Sequence, residues 1–199
     1  MSLLDHALYG LAWLSFGTLH SVLAAAWGQT LLAGVFGPAT RLAYNLIAVA
    51  HLGAVWGFGQ LLGSASDRFV FPAGFSLAQM LLVLAGLVLL VVALREFDLG
   101  RFSGLWQMRH RVLPGAGGEH EALVTGGLHR YVRHPLYTAG FMILWGLVRD
   151  PVSLATAVWG SLYLMIGTYF EERKLRRLYG KAYDDYSRRV PPFIPRPKL

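Results

Sequence analysis

Residues 130–186 run RYVRHPLYTAGFMILWGLVRDPVSLATAVWGSLYLMIGTYFEERKLRRLYGKAYDDY, and the reading of this stretch decides the fold. Two polar motifs, Arg130–Tyr137 and Glu171–Tyr186, bracket a mostly apolar run that is broken once, at Arg149-Asp150-Pro151. The pattern predicts two helices forming a tight hairpin, with Arg-His-Pro at one mouth and two adjacent glutamates at the other. Charges at a bilayer boundary are costly and are usually kept for function, so the two motifs together predict a polar site at a membrane face.

The rest of the chain supports a membrane setting. Of 199 residues, 55% are hydrophobic and only 15% charged, and the mean hydropathy is +0.46. That composition predicts an all-α integral membrane protein rather than a soluble domain. A helix needs about 20 apolar residues to cross the hydrocarbon core. Five stretches qualify as candidate spans: Leu3–Trp27, Leu42–Leu62, Phe75–Leu94, Leu136–Val148 and Val152–Phe170. The fourth is short, so it must extend backwards, tilt or pair tightly with the fifth. The expected organisation is a single membrane domain over residues 1–199, with N-terminal spans in 1–95, a polar loop in 96–135, and the hairpin with a C-terminal segment in 136–199. The first span carries Asp5 and His6 where a signal peptide carries positive charge, so it reads as a retained helix. There is no cysteine, which excludes disulfides, thiolate metal ligands and a cysteine nucleophile.

The net charge is +7. With five spans, every lysine and arginine except Arg68 and Arg149 falls on one side. The positive-inside rule places that side, with the long loop and the tail, in the cytoplasm and the N-terminus outside. A basic tail beside a bilayer suits anionic lipid headgroups, and nucleic acid is a poor partner for so apolar a chain. From Glu171 to about Arg189 the tail reads as a helix continuing into water. Leu175, Leu178, Tyr179, Tyr183 and Tyr186 share one face. Gly180 interrupts it, and Pro191, Pro192, Pro195 and Pro197 end it.

Several residues suit chemistry. Pro135 disfavours helix at His134, which presents an imidazole on an irregular segment just before a span. Tyr137 follows, and Gly126-Gly127 upstream permit close backbone approach. The plainer alternative is an arginine and histidine snorkelling at the interface, with proline opening a helix. Adjacent helical residues diverge by about 100°, so Glu171 and Glu172 cannot share a task. One faces the bundle, and the other faces Arg173, Arg176 or water. In the first two spans, helix-to-helix hydrogen bonding accounts for Ser21, Asn45 and His51. His20 and Arg41 lean towards a site. In Arg95-Glu96-Phe97-Asp98, either the charges pair among themselves or Asp98 or Glu96 accepts a proton. No histidine spacing predicts a metal site. No phosphate-cradling glycine loop or dinucleotide fingerprint is present.

Taken in order, Leu123-Val124-Thr125-x-Gly127, Arg133-His134-Pro135-x-Tyr137, Glu171-Glu172, Tyr179-Gly180-x-x-Tyr183-x-x-Tyr186 and Val190-Pro191 resemble the integral-membrane methyltransferases of the isoprenylcysteine carboxyl methyltransferase type. The resemblance covers roughly residues 120–195. It implies S-adenosylmethionine as cofactor, bound at the cytoplasmic face by Glu121, Ala122, Leu123, Val124, His129, His134, Pro135, Leu136, Tyr137 and Glu171. His129 stands where many relatives have tyrosine. Prenylcysteine enzymes place an arginine one turn before the first glutamate; here that position is Gly167, which argues against a carboxyl substrate. Leu19-His20-Ser21-x-x-Ala24, Arg41-x-x-Tyr44, Phe97-Asp98-Leu99 and Ile166-Gly167-x-x-x-Glu171-Glu172-Arg173 are similar to bacterial methanethiol S-methyltransferases and to membrane proteins associated with denitrification. The resemblance implies methylation of a small or apolar thiol in a bacterial inner membrane, with His20, Arg41, Asp98 and Arg133 as the catalytic candidates. A lipid headgroup, a prenylcysteine carboxylate and a non-enzymatic role in haem or nitrogen-oxide metabolism are the alternatives.

Overall fold

The computed structural model describes residues 1–63, 68–113 and 122–196. All regular structure among them is helical. Four helical stretches, Leu3–Ala24, Ala26–Leu62, Ala73–Arg95 and Pro151–Tyr179, are long and apolar enough to cross a membrane. The chain forms two compact units, residues 1–66 with 97–120 and residues 67–96 with 121–199.

The first unit begins with α1 (Leu3–Ala24), opened by a reciprocal capping box in which Asp5 N–H donates to Ser2 Oγ and Ser2 N–H to Asp5 Oδ2. α1 stops at Ala25, which is extended, so the first apolar stretch ends before Trp27. Gln29 Nε2 donates to the Leu23 carbonyl at 2.6 Å, satisfying a group that the break exposes. α2 (Ala26–Phe36) then leads through a 3-10 turn at Gly37–Ala39 into α3 (Thr40–Leu62). The sequence reading ended its first span at Trp27 and began its second at Leu42, so it left most of α2 unassigned. α1 and α3 pack through Tyr9, which is fully buried; a Cβ on Gly59 would press into its ring. Two short helices, α5 (Leu99–Ser103) and α6 (Leu105–His110), complete the unit after α4 below. Arg41 Nε and Asn45 Nδ2 both donate to the Phe102 carbonyl at 3.1 Å, tying α3 to the end of α5.

The second unit contains α4 (Ala73–Arg95), α7 (Pro135–Gly146), α8 (Pro151–Tyr179) and α9 (Lys181–Arg189). α7 has 12 residues. At about 1.5 Å per residue it falls well short of the roughly 30 Å hydrocarbon core, so the fourth expected span is not long enough to cross. Its closest backbone approach is to α4. A Cβ on Gly86 would meet Ile143, Met142 and the Ala139 carbonyl, and one on Gly146 would meet Val83 and the Gln79 carbonyl. Small residues at such crossings let backbones approach and maximise van der Waals contact where lipid supplies no hydrophobic drive. α7 also meets its sequence neighbour α8, with Trp145 Nε1 donating to Ser161 Oγ at 3.0 Å. Buried Gln79 ends α7: its Nε2 donates to the Val148 carbonyl, and its Oε1 accepts from Arg149 Nη1, both at 2.8 Å. Asp150 and Ser153 then form a capping box that starts α8 at Pro151. α8 runs past its apolar part to Tyr179, and Gly180, at φ 55°, turns the chain into α9.

Candidate functional site in the second unit

The Arg-His-Pro motif and the paired glutamates meet. Arg133 Nε donates to Glu172 Oε1 at 2.8 Å, Nη2 donates to the same oxygen, and His134 Nε2 lies 3.1 Å from it. All three side chains are nearly buried, at 10%, 11% and 5% exposure. Glu172 is therefore the inward carboxylate. Arg176, one turn on, reaches its second oxygen at 3.3 Å. Glu171 is half-exposed and lies 3.7 Å from His134 Nδ1, so the imidazole sits between two carboxylates.

Arg133 also fastens the end of the chain. Its Nη1 donates to the Ser187 carbonyl at 3.0 Å and the Val190 carbonyl at 2.5 Å. The backbone N–H groups of Arg133 and His134 donate to the Pro191 and Pro192 carbonyls at 2.9 and 3.0 Å. Pro135 makes this pairing possible, because the irregular segment before a proline leaves those N–H groups outside the helix. Thr138 Oγ1 donates to the Phe193 carbonyl at 3.0 Å, and the Phe193 ring packs on His134 and Phe141. Tyr137 stacks on His134 at 5.4 Å and 9°.

Tyr183 and Tyr186 of α9 close the other side. Tyr186 Oη donates to the His129 carbonyl at 2.6 Å, while Tyr183 Oη is buried beside Arg133 without reaching hydrogen-bond geometry. Burial pushes both phenols up to about 12; the Glu172 charge adds to the rise, and Arg133 opposes it.

The site residues expected from the sequence fall into three groups. His129, Arg133, His134, Pro135, Tyr137 and Glu171 gather in this unit, with Leu136 following on α7. Ala122, Leu123 and Val124 lie on the irregular strand of chain leading in, and Glu121 is outside the described residues. His20, Arg41 and Asp98 belong to the first unit. There His20 Nε2 lies 2.6 Å from Tyr44 Oη, and His51 Nε2 lies 3.2 Å from Ser15 Oγ, with Phe16 against both imidazoles. Asp98 caps α5 through the Arg101 N–H and pairs with the Arg101 side chain at 3.6 Å, and Glu96 meets His129, so these two carboxylates find partners outside residues 95–98 rather than within that cluster. Sequence reasoning left open which of the two glutamates turns inward, read Tyr183 and Tyr186 as one packing face of the tail, and missed Phe193. The aromatic spacing of the tail was visible, but its target was not.

These features define an all-helical integral membrane protein with a polar site at the junction of α7, α8 and α9. Residues 77–182 match the phospholipid methyltransferase family, and the chain belongs to that family of methyltransferases. It is 26% identical to a methanethiol S-methyltransferase of Crocosphaera subtropica over 210 residues, covering 97% of this chain and 74% of that protein. A methanethiol S-methyltransferase of Pseudomonas sp. GM41(2012) is 27% identical, with 91% and 70% covered. A protein-S-isoprenylcysteine O-methyltransferase B of Arabidopsis thaliana is 35% identical over 85 residues, 39% of this chain and 41% of that one. No solved structure matches.

Proposed function

We propose that the protein transfers a methyl group from S-adenosylmethionine to a small, apolar thiol at the cytoplasmic face of a bacterial inner membrane, with its N-terminus outside. The observation that carries this reading is the buried Arg133–Glu172–His134 cluster, with Glu171 beside it still half-exposed. The donor is cationic at sulfur and at its amino group. Glu172 is spoken for by Arg133, His134 and Arg176, whereas Glu171 has a carboxylate oxygen to offer an ammonium or a ribose hydroxyl. His129, His134, Tyr137 and Glu171 would hold the cofactor, with the backbone of Ala122–Val124 and of Pro135-Leu136 alongside. Once bound, S-adenosylmethionine supplies an already activated methyl group.

The chain's own work is then to orient, to exclude water and to manage one proton. Every nitrogen of the Arg133 guanidinium donates to an acceptor of the chain, so it holds the site's frame. Among the acceptor-side candidates, His20 is the base for a thiol proton and Arg41 the charge that favours thiolate, since thiolate is the nucleophile. Asp98 is committed to its cap and its Arg101 pair, which ranks it below His20. The similarity to thiol enzymes along nearly the whole chain supports the acceptor class.

The prenylcysteine relative favours a second reading, methylation of a carboxylate. Gly167 counts against it, since it supplies no cation one turn before Glu171, and a Cβ there would meet nothing within 4 Å. Calorimetric titration of the detergent-purified protein with S-adenosylmethionine and its demethylated product tests the cofactor. One-to-one binding supports the reading, and failure of folded protein to bind either overturns it. Volatile labelled thioether from a thiol panel then separates the two acceptors.

A further inference from the structure

Glu96 is placed where its own helix gives it no reason to be. It is the C-cap of α4, next to the helix's negative dipole end, where an anion is disfavoured. Both its oxygens go instead to the 3-10 turn Gly127–Arg130. Oε1 accepts from the Leu128 N–H at 2.8 Å, and Oε2 lies 3.1 Å from His129 Nδ1. The turn is shaped to receive it. Gly127 adopts φ 55°, and a Cβ there would overlap the Glu96 carboxylate, so both the backbone conformation and the approach require glycine. Tyr186 holds the His129 carbonyl from the other side. The residue is therefore gripped at its ring by α4 and at its backbone by α9, five residues before His134. α4 is also the helix packed on α7, which opens at Pro135, so the 127–130 turn and the helix that follows the Arg-His-Pro motif are both held by α4.

We propose that Glu96 is a positioning residue of this site: it fixes the 127–130 turn and holds His129 in the tautomer with its proton on Nδ1, making Nε2 a hydrogen-bond acceptor. A carboxylate is acceptor-only, so the ring nitrogen facing it must donate, and in the neutral imidazole the other nitrogen then carries the lone pair. The ligand chemistry that suits such an atom is a hydroxyl or amino donor. That part of the inference rests on the methyl-donor reading above; the tautomer does not.

The test uses the full-length protein in detergent. Nitrogen-15 NMR of ring-labelled histidine, with the signal assigned by His129→Phe, should show the Nδ1–H form in wild type. In Glu96→Gln, the amide keeps an acceptor for Leu128 N–H but turns a donor towards His129, and the form should switch to Nε2–H. S-adenosylmethionine affinity should fall about tenfold or more in Glu96→Gln, as expected for a lost charge-assisted hydrogen bond, with kcat at saturation within about twofold. In a His129→Phe background, Glu96→Gln should add little. An Nε2–H form in wild type, or an equal loss of affinity in the His129→Phe background, overturns the proposal. Wild-type protein that shows the Nδ1–H form and its switch but binds no S-adenosylmethionine would sink the donor reading and leave the clasp standing.

Discussion

The two units hold their histidines in different company. In the second, His134 lies between Glu171 and Glu172, and His129 faces Glu96. In the first, His20 meets the Tyr44 phenol and His51 the Ser15 hydroxyl. Imidazoles beside carboxylates sit in a framework whose charges come from the glutamates and Arg133; imidazoles beside hydroxyls sit in a hydrogen-bond network suited to the apolar part of a helix pair. The difference teaches that buried charge is concentrated in the second unit, and the function proposed above assigns the charged cofactor to that unit and acceptor handling to the first.

The largest expected effect comes from breaking the ionic framework. Glu172→Ala leaves Arg133 buried without its carboxylate, which costs about 3–5 kcal/mol. Thermal unfolding should shift sharply downward and S-adenosylmethionine binding disappear; an unchanged Tm would show that the cluster is not what holds α8, α9 and the C-terminal segment together. Next is the α4–α7 crossing. Gly146→Val pushes a side chain into Val83 and the Gln79 backbone and should destabilise by about 1–3 kcal/mol, read by the same melt. Gly167→Ala, which meets nothing, is the control.

Glu171→Gln sharpens the comparison because its side chain is half-exposed. The fold should survive while cofactor affinity drops about tenfold, the scale of a hydrogen bond to a charged group. In the first unit, Tyr44→Phe removes one hydrogen bond worth about 1 kcal/mol. It should raise KM for thiol with cofactor affinity unchanged; a change in cofactor affinity instead would undo the division of labour. The smallest effect is at alkaline pH. The folded-state values of Tyr183 and Tyr186 are raised from 10.0 to about 12. Native and unfolded chains are both protonated below 10, so the contribution is whole there. As pH rises towards 12, the unfolded chain releases protons that the native one retains, and stability is lost. Tyrosinate absorbance should show two phenols titrating near pH 12, one of them removed by Tyr183→Phe and the other by Tyr186→Phe.

Much of the site was legible along the chain. His134 before Pro135, the adjacent glutamates and the aromatic tail are local patterns with local causes. The assignment within the glutamate pair was not legible, because helix periodicity states that two neighbours diverge but not which one meets a partner. The end of the fourth stretch was not legible for the same reason: its apolar run and its shortness were visible, but the Gln79 side chain that terminates it comes from a helix roughly seventy residues upstream.

The sequence by itself determined the helical membrane class, the breaks at Arg149-Asp150-Pro151 and Gly180, and the residue types gathered near the Arg-His-Pro motif, because composition, periodicity and proline act within a few residues. Only the tertiary structure decided that Glu172 turns inward, that α7 and α4 meet at Gly146 and Gly86, and that Glu96 reaches across to His129. Those outcomes depend on which surfaces meet, and a buried carboxylate goes wherever the fold provides enough donors to replace water.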